Sequence, residues 1–356
     1  MSEQVKKFRR IGVLTSGGDA PGMNAAVRAV TRAAIQRGVE VMGIYEGYKG
    51  LHEHNFQLFT DRDVSNIINL GGTKLYSARF PNFKEDAVMD ECVEICRENQ
   101  IDGIVAIGGD GTFRGATDLT NKGIPCIGIP GTIDNDITST DESIGFDTAM
   151  NTVVQMVDRL RDTCESHARC NVVEVMGRNA GYIALQTGIA VGASAIAIRE
   201  IPFDPEKAIE KIKASKASGK RNFIVIVSEG VDYAESLAKR IDAETGIETK
   251  FARLAHVVRG GSPTLRDRLL ASEMGEEAVR LLLDGKSDLV VCLRDSKIVS
   301  VDINYALILD RMYKDTLKPG DLDKFTPEQV ESMKSFCKMR TEEMQELYDI
   351  ADDISH

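Results

Sequence analysis

Two aspartates stand one residue apart in the run Ile129-Pro130-Gly131-Thr132-Ile133-Asp134-Asn135-Asp136, directly after the apolar stretch 124–129. That stretch reads as a buried strand, so the carboxylates fall where a parallel strand ends, the edge at which open α/β sheets bind ligands. Taken alone, an Asp-x-Asp loop reads more readily as a plain acidic turn. Two further glycine turns change the weighing. Ser16-Gly17-Gly18-Asp19-Ala20-Pro21-Gly22 follows a short strand at 11–14 and leads into an alanine-rich helix over about 24–36. Strand, glycine turn and helix is a phosphate-cradling arrangement, because glycine lets the backbone approach the ligand and the helix N-terminus presents free N–H groups. Ile107-Gly108-Gly109-Asp110-Gly111-Thr112 closes a strand at 104–107 and opens another helix. An aspartate there repels phosphate but suits a magnesium ion that bridges phosphates. Three such turns fit convergence on one phosphate-bearing ligand.

Other nucleotide chemistries fit less well. Three residues after Gly111 stands Arg114, and the glycine comes one later at Gly115, so the dinucleotide fingerprint is absent. No Gly-x-x-x-x-Gly-Lys-Ser/Thr occurs either. The 44 basic and 55 acidic side chains give a net charge of −11, which argues against wrapping nucleic acid or coating an anionic membrane. The seven cysteines lack a Cys-x-x-Cys pair, which fits reduced thiols in a cytoplasmic enzyme. Residues 1–10 are polar, and no apolar run approaches the length of a membrane span.

The elements that must position these turns alternate between apolar strands and amphipathic helices. The pattern predicts a parallel α/β sheet through residue 129, a long helix over about 147–163, and a second α/β region. That region has strands at 172–175, 195–198, 223–227 and 250–254 and helices near 181–190, 205–217 and 233–243. Helix follows over 263–283, then a hairpin about Asp295-Ser296, and the charged tail reads as a surface or subunit-contact helix. At 356 residues, two domains are expected.

The motifs together closely resemble the bacterial 6-phosphofructokinases. The resemblance covers roughly residues 8–315 and rests on Leu14-Thr15-Ser16-Gly17-Gly18-Asp19-Ala20-Pro21-Gly22-Met23-Asn24, Ser77-Ala78-Arg79-Phe80-Pro81, the turns at 108–112 and 130–136, Val173-Glu174-Val175-Met176-Gly177-Arg178, His256-Val257-Val258-Arg259 and Gly260-Gly261-Ser262-Pro263. It implies two Rossmann-like three-layer α/β domains with mostly parallel sheets and the active site in the cleft between them. The larger, ATP-binding domain is expected at 1–145 plus about 258–308, the smaller, fructose 6-phosphate-binding domain at 146–257 plus about 309–325, and an acidic helical extension at 326–356.

By the same resemblance, Asp134 takes the proton from the sugar 1-hydroxyl, Asp136 and Asp110 serve magnesium, and Arg79, Arg178 and Thr132 stabilise the transferring group. Gly18, Tyr48, Arg79, Phe80, Gly109, Asp110, Gly111, Thr112 and Gly115 form the ATP side. The sugar phosphate is met by Met176, Gly177, Arg178, Glu229, His256 and Arg259, with Arg169 and Lys250 supplied by a neighbouring subunit of a homotetramer. The family usually has arginine at Lys250, so fructose 6-phosphate is expected to bind somewhat more weakly, unless nearby Arg253 compensates. Pyrophosphate-using relatives typically carry aspartate and lysine where Gly111 and Gly131 stand, so the donor reads as ATP, with the pyrophosphate-dependent enzyme as the alternative. A nicotinamide-dependent oxidoreductase would need the missing fingerprint, and a non-catalytic sensor would not need Asp110, Asp134 and Asp136. Arg28 and Arg32, one helical turn apart, match the effector pocket with Arg161 and Lys220. Ser194 stands where a glutamate is usual and Asp61 where some relatives are basic, so a weak or absent response to ADP and phosphoenolpyruvate is expected.

Overall fold

The computed structural model describes residues 8–355. The first seven residues of the polar segment 1–10 and the last residue of the tail lie outside them. Along the chain run β1 (Arg10–Thr15), α1 (Met23–Gln36), β2 (Glu40–Ile44), α2 (Gly47–His52), β3 (Phe56–Phe59), α3 (Asp86–Glu98), β4 (Gly103–Gly108), α4 (Asp110–Asn121), β5 (Cys126–Pro130), α5 (Phe146–His167), β6 (Cys170–Val175), α6 (Tyr182–Ala190), β7 (Ala195–Ala197), α7 (Pro205–Ala217), β8 (Phe223–Ser228), α8 (Ala234–Thr245), β9 (Thr249–Arg253), α9 (Leu265–Leu283), β10 (Leu289–Arg294), β11 (Lys297–Asp302), α10 (Ile303–Tyr313) and α11 (Pro327–Ile354). Of the described residues, unit 1 comprises 8–133, 137–147 and 259–326, and unit 2 comprises 134–136, 148–258 and 327–355.

Unit 1 is built on a seven-stranded sheet in the order β11-β10-β5-β4-β1-β2-β3. The five strands from β10 to β2 pair in parallel, and the two edge strands, β11 and β3, run antiparallel. β4 and β5 are buried at every residue, which is why they read as continuous apolar runs rather than alternating ones. The chain leaves β1 toward β2 and leaves β4 toward β5, on opposite sides, so the strand order reverses between β1 and β4. The β10–β11 hairpin turns at Asp295 and Ser296, both at positive φ (48° and 60°), as an Asp-Ser two-residue turn requires.

Unit 2 carries a four-stranded, all-parallel sheet in the order β7-β8-β6-β9. β6 and β8 are again buried throughout, over a core that includes Val172, Ile209, Ile212, Phe223, Val225 and Ile241. α7 begins at Pro205 behind Asp204, whose side chain accepts the N–H of Lys207. The tail belongs to this unit: α11 packs on α6 and on the edge strand β7, and Met333, Met344 and Ala351 are its buried side chains. Residues 309–325, expected with the smaller domain, group instead with unit 1. The reason is Asp310, a buried carboxylate on α10 that accepts the Thr138 hydroxyl at 2.8 Å and the Lys314 ammonium at 2.8 Å. The short α2, β3 and α10 have no counterpart among the elements expected from sequence.

Candidate active site

In unit 1 the two glycine turns meet at the reversal point. Ser16 N–H donates to the Ile107 carbonyl at 3.0 Å, and the Thr112 hydroxyl donates to the Ser16 carbonyl at 3.1 Å. The turns approach so closely that a Cβ on Gly108 would lie 2.3 Å from both the Ser16 carbonyl oxygen and the Thr112 hydroxyl. The third turn joins them through Gly131 N–H, which donates to the Gly108 carbonyl at 3.0 Å. A Cβ on Gly109 or Gly111 would meet nothing within 4 Å, so these two glycines border open space. Both stand where α4 begins, and the N–H groups of a helix's first turn suit an anion.

Gly115 and Tyr48 play a different part from an open contact. Tyr48 is buried, donates to the Thr112 carbonyl at 2.5 Å, and stacks on Phe83 with centroids 4.2 Å apart. A Cβ on Gly115 would lie 2.6 Å from the Tyr48 ring, so this glycine admits the tyrosine beneath the turn. Phe80 lies at 5.4 Å from the His52 ring, and Arg79 beside it is exposed. Asp110, the first residue of α4, pairs with Arg114 at 2.8 Å. Arg259 packs its guanidinium over Gly18, where a Cβ would lie 2.8 Å from Nη1, and donates to the Asp19 carbonyl at 3.2 Å. It therefore stands against the first glycine turn, although the motifs set it with the sugar-phosphate residues.

Thr132 is held by its backbone. Its N–H donates to the Ile144 carbonyl at 3.1 Å, and its carbonyl accepts the Ser143 hydroxyl at 2.6 Å. Gly131 differs from Gly111: a Cβ there would press on Ile107 and Met23, each at 3.2 Å, so its lack of a side chain serves packing as well as any ligand.

In unit 2, Asp134 is buried and Asp136 half-buried, with Asn135 between them in the left-handed region (φ 50°). At the C-terminal ends of β6, β8 and β9 a cavity of about 860 Å³ is lined by Arg178, Asn179, Arg199, Glu229, Arg253 and His256, among others. After β6 the chain passes through Met176, half-buried, and then Gly177 and Arg178 at φ 144° and 58°. Both of these present their N–H groups to Glu229 Oε1, at 3.3 and 2.6 Å. Successive N–H groups in such a turn form an anion-binding concavity, and here the Glu229 carboxylate fills it. Arg253 makes a forked pair with Glu174 at 2.5 and 3.3 Å.

Arg169 and Lys250 are not brought to that cavity. They stand at the opposite ends of β6 and β9, and both pair with Glu248, at 2.6 and 2.8 Å. The two cations, Arg169 first, pull the Glu248 carboxyl down to about 2. Of the expected effector residues, Arg28 and Arg32 lie on α1 in unit 1; Arg161, bonded to Asn222 and the Val191 carbonyl, and Lys220 lie in unit 2. Burial and then Arg32 lower the Arg28 guanidinium, while burial and then Arg161 lower Lys220. Ser194 is buried beside β7, and Asp61 is exposed. Asp310 was given no role by the sequence, because a lone acid on an amphipathic helix carries no signal. Burial pushes its carboxyl up, Lys314 pulls it down, and Asp110 adds an upward push.

The Phosphofructokinase family profile matches residues 10–282. The chain is 50% identical over 300 residues to an ATP-dependent 6-phosphofructokinase of Bacillus cytotoxicus, across 84% of this chain and 94% of that one. It is 52% identical over 300 residues to one of Brevibacillus brevis, with the same 84% and 94% coverage. A solved phosphofructokinase from Saccharomyces cerevisiae matches with a TM-score of 0.82 at 31% identity over 94% of this chain, which spans 50% of the yeast chain. Family profile and relatives agree over most of the sequence, and the chain belongs to the phosphofructokinase family.

Proposed function

We propose that the protein is an ATP-dependent 6-phosphofructokinase, transferring the γ-phosphoryl of Mg-ATP to the 1-hydroxyl of fructose 6-phosphate to give fructose 1,6-bisphosphate and ADP, a step of glycolysis. The observation that carries the donor assignment is Gly111, at the start of α4 with nothing within 4 Å of its Cβ position. A nucleotide needs that room, and an aspartate there would fill it with negative charge. The relatives' names support the same reading.

Phosphoryl transfer asks a protein chiefly for positioning and charge neutralisation. The open helix start at Gly109 to Thr112 receives the donor's phosphates, with Gly18 in the first turn, Phe80 in the ring cluster with Phe83, and Tyr48 and Gly115 as support. Asp134 accepts the proton of the 1-hydroxyl; in a loose transition state that proton leaves late, so a carboxylate suffices as base. Thr132, Arg79 and Arg178 donate to the transferring group. Among the described residues no cluster of three or more His, Cys, Asp or Glu is placed to hold a metal by itself. Magnesium commonly takes one or two carboxylates plus substrate phosphates, and the hard oxygens of Asp110 and Asp136 fit that demand. When bound, the ion neutralises charge on the phosphoryl oxygens. Asp110 and Asp136 would hold it, Asp110 through the carboxylate whose Oδ2 pairs with Arg114.

Met176, Gly177, Arg178, Glu229 and His256 recognise the sugar phosphate; the motifs add Arg259, whose guanidinium packs over Gly18 in the first glycine turn. Arg169 stands before the six-residue β6, about 20 Å from Arg178 at the usual rise per residue, and Lys250 is the second residue of β9, beside Asn171. Any sugar phosphate they hold belongs to a neighbouring subunit's site, which supports a homotetramer with shared sites. Seven thiols outside any disulfide support a reducing, cytoplasmic setting. Arg28, Arg32, Arg161 and Lys220 are the candidate effector residues, with a weak or absent response to ADP and phosphoenolpyruvate. A coupled assay offering ATP and pyrophosphate in turn, with fructose 6-phosphate as acceptor, tests the assignment. Turnover with ATP alone is expected; turnover with pyrophosphate alone overturns it.

A further inference from the structure

Asp267 has no role in the assignments above, yet it joins three segments of unit 1. It is the third residue of α9, 1% exposed, and its Oδ1 accepts the N–H of Gly145 at 2.7 Å. Thr264, the N-cap, accepts the N–H of Asp267 at 3.3 Å and donates to Asp147 Oδ2 at 2.5 Å. Thr-x-x-acid at a helix start is ordinary capping chemistry. The bond to Gly145, 122 residues away in sequence, is not.

Gly145 is wedged in place. At φ 103° it occupies the region that favours glycine, and a Cβ there would lie 2.6 Å from the Ala20 Cβ in the first glycine turn. A Cβ on Gly22, at the other end of that turn, would lie 2.6 Å from Ile144 and 3.4 Å from the Asp267 Cβ. The first glycine turn and residues 143–145 thus interlock beside one buried carboxylate. From there the connection reaches the reacting centre in one step. Ile144 exchanges hydrogen bonds with Pro130 and Thr132 at 2.9 and 3.1 Å, and Ser143 donates to the Thr132 carbonyl at 2.6 Å.

We propose that Asp267 is a positioning residue for phosphoryl transfer: it anchors residues 143–145, which in turn fix the backbone of Gly131 and Thr132. The inference rests on the kinase reading of the site. Removing the acceptor strands a buried N–H, which residues 143–145 can relieve only by moving. A displacement of about 1 Å at a reacting group costs roughly 100-fold in rate.

The test is steady-state kinetics of Asp267→Ala, Asp267→Asn and Ser143→Ala, varying ATP and fructose 6-phosphate separately. Asp267→Ala is expected to lose about 30- to 100-fold in kcat, with both KM values within about threefold of wild type. Asp267→Asn keeps an acceptor oxygen for Gly145 and should recover kcat to within about fivefold of wild type. Ser143→Ala, which cuts the same chain one link later, should lose about five- to tenfold in kcat. A kcat for Asp267→Ala within threefold of wild type, an asparagine variant as slow as the alanine one, or a loss confined to KM overturns the inference. Should Asp267→Ala not fold, the other two variants decide, and an unchanged kcat in Ser143→Ala overturns it. Active wild type with unaffected variants removes this inference alone, whereas wild type inactive with every donor removes the kinase reading too.

Discussion

Glu229 Oε1 receives the N–H of Arg178 at 2.6 Å and so pins an arginine in the left-handed region, at φ 58°. A non-glycine residue there carries a steric cost of roughly 1–2 kcal/mol, and a hydrogen bond to a charged acceptor contributes about 1.5–3 kcal/mol, enough to offset it. The arginine is thus aimed by a carboxylate that binds its backbone rather than its guanidinium.

Glu229→Ala is therefore expected to raise KM for fructose 6-phosphate about tenfold or more and to lower kcat, while KM for ATP stays within about twofold. Glu229→Gln, which keeps an acceptor oxygen, should lose less. Initial rates with each substrate varied in turn check this; an equal rise in both KM values would sink it.

The two donor-side glycines should separate on substitution. Gly111→Asp meets open space and adds an acid to the first turn of α4, where the helix dipole favours it. It should fold with a Tm close to wild type and still lose ATP-driven turnover. Gly131→Lys presses on Ile107 and Met23 and should cost about 1–3 kcal/mol of stability besides any effect on the donor. Thermal melts of both, beside donor assays, distinguish room for a ligand from room for neighbouring side chains. Equal loss of Tm in both would refute the distinction.

Lys250→Arg should lower KM for fructose 6-phosphate about three- to tenfold, since a guanidinium offers phosphate a two-pronged contact and an ammonium does not. Rates at varied fructose 6-phosphate give the answer, and an unchanged KM rules the idea out.

Alkali should weaken the fold through its thiols. Burial pushes Cys92, Cys126 and Cys170 up to about 12 and Cys292 up to about 11. The unfolded chain releases these protons near pH 9 while the folded chain keeps them, so their contribution is whole below about pH 9 and is lost as pH rises toward the folded values. Tm should fall progressively from pH 9 upward. At pH 8 a thiol reagent should label half-buried Cys337 promptly and the six buried cysteines only on unfolding. Rapid labelling of two or more thiols in the folded protein contradicts this.

Much of the fold was legible because β1, β4, β5, β6 and β8 are buried on both faces and announce themselves as unbroken apolar runs. The glycine turns were legible because each follows such a run. What stayed hidden depends on pairings that no periodicity marks, most of them between residues far apart in sequence. Asp267 with Gly145, Asp310 with Thr138, and Arg169 and Lys250 on Glu248 are single polar residues with no period to betray them. Glycine is ambiguous for a related reason: Gly111, Gly115 and Gly131 look alike in a motif, yet one borders open space, one admits a tyrosine ring and one packs in the core. The short α2, six residues opening on a glycine, is below the length at which periodicity shows.

α11 carries a consequence for how the protein behaves in concentrated solution. The family profile ends at residue 282, and this helix lies beyond it, covering β7, an edge strand of the smaller sheet, with Met333, Met344 and Ala351 turned inward. An uncovered edge is a template for pairing with another chain. A protein shortened at residue 326 would expose that apolar face together with Lys207 and Lys211, which lose their partner Asp352. Removal of the helix is therefore expected to show first in light scattering and only later in catalysis.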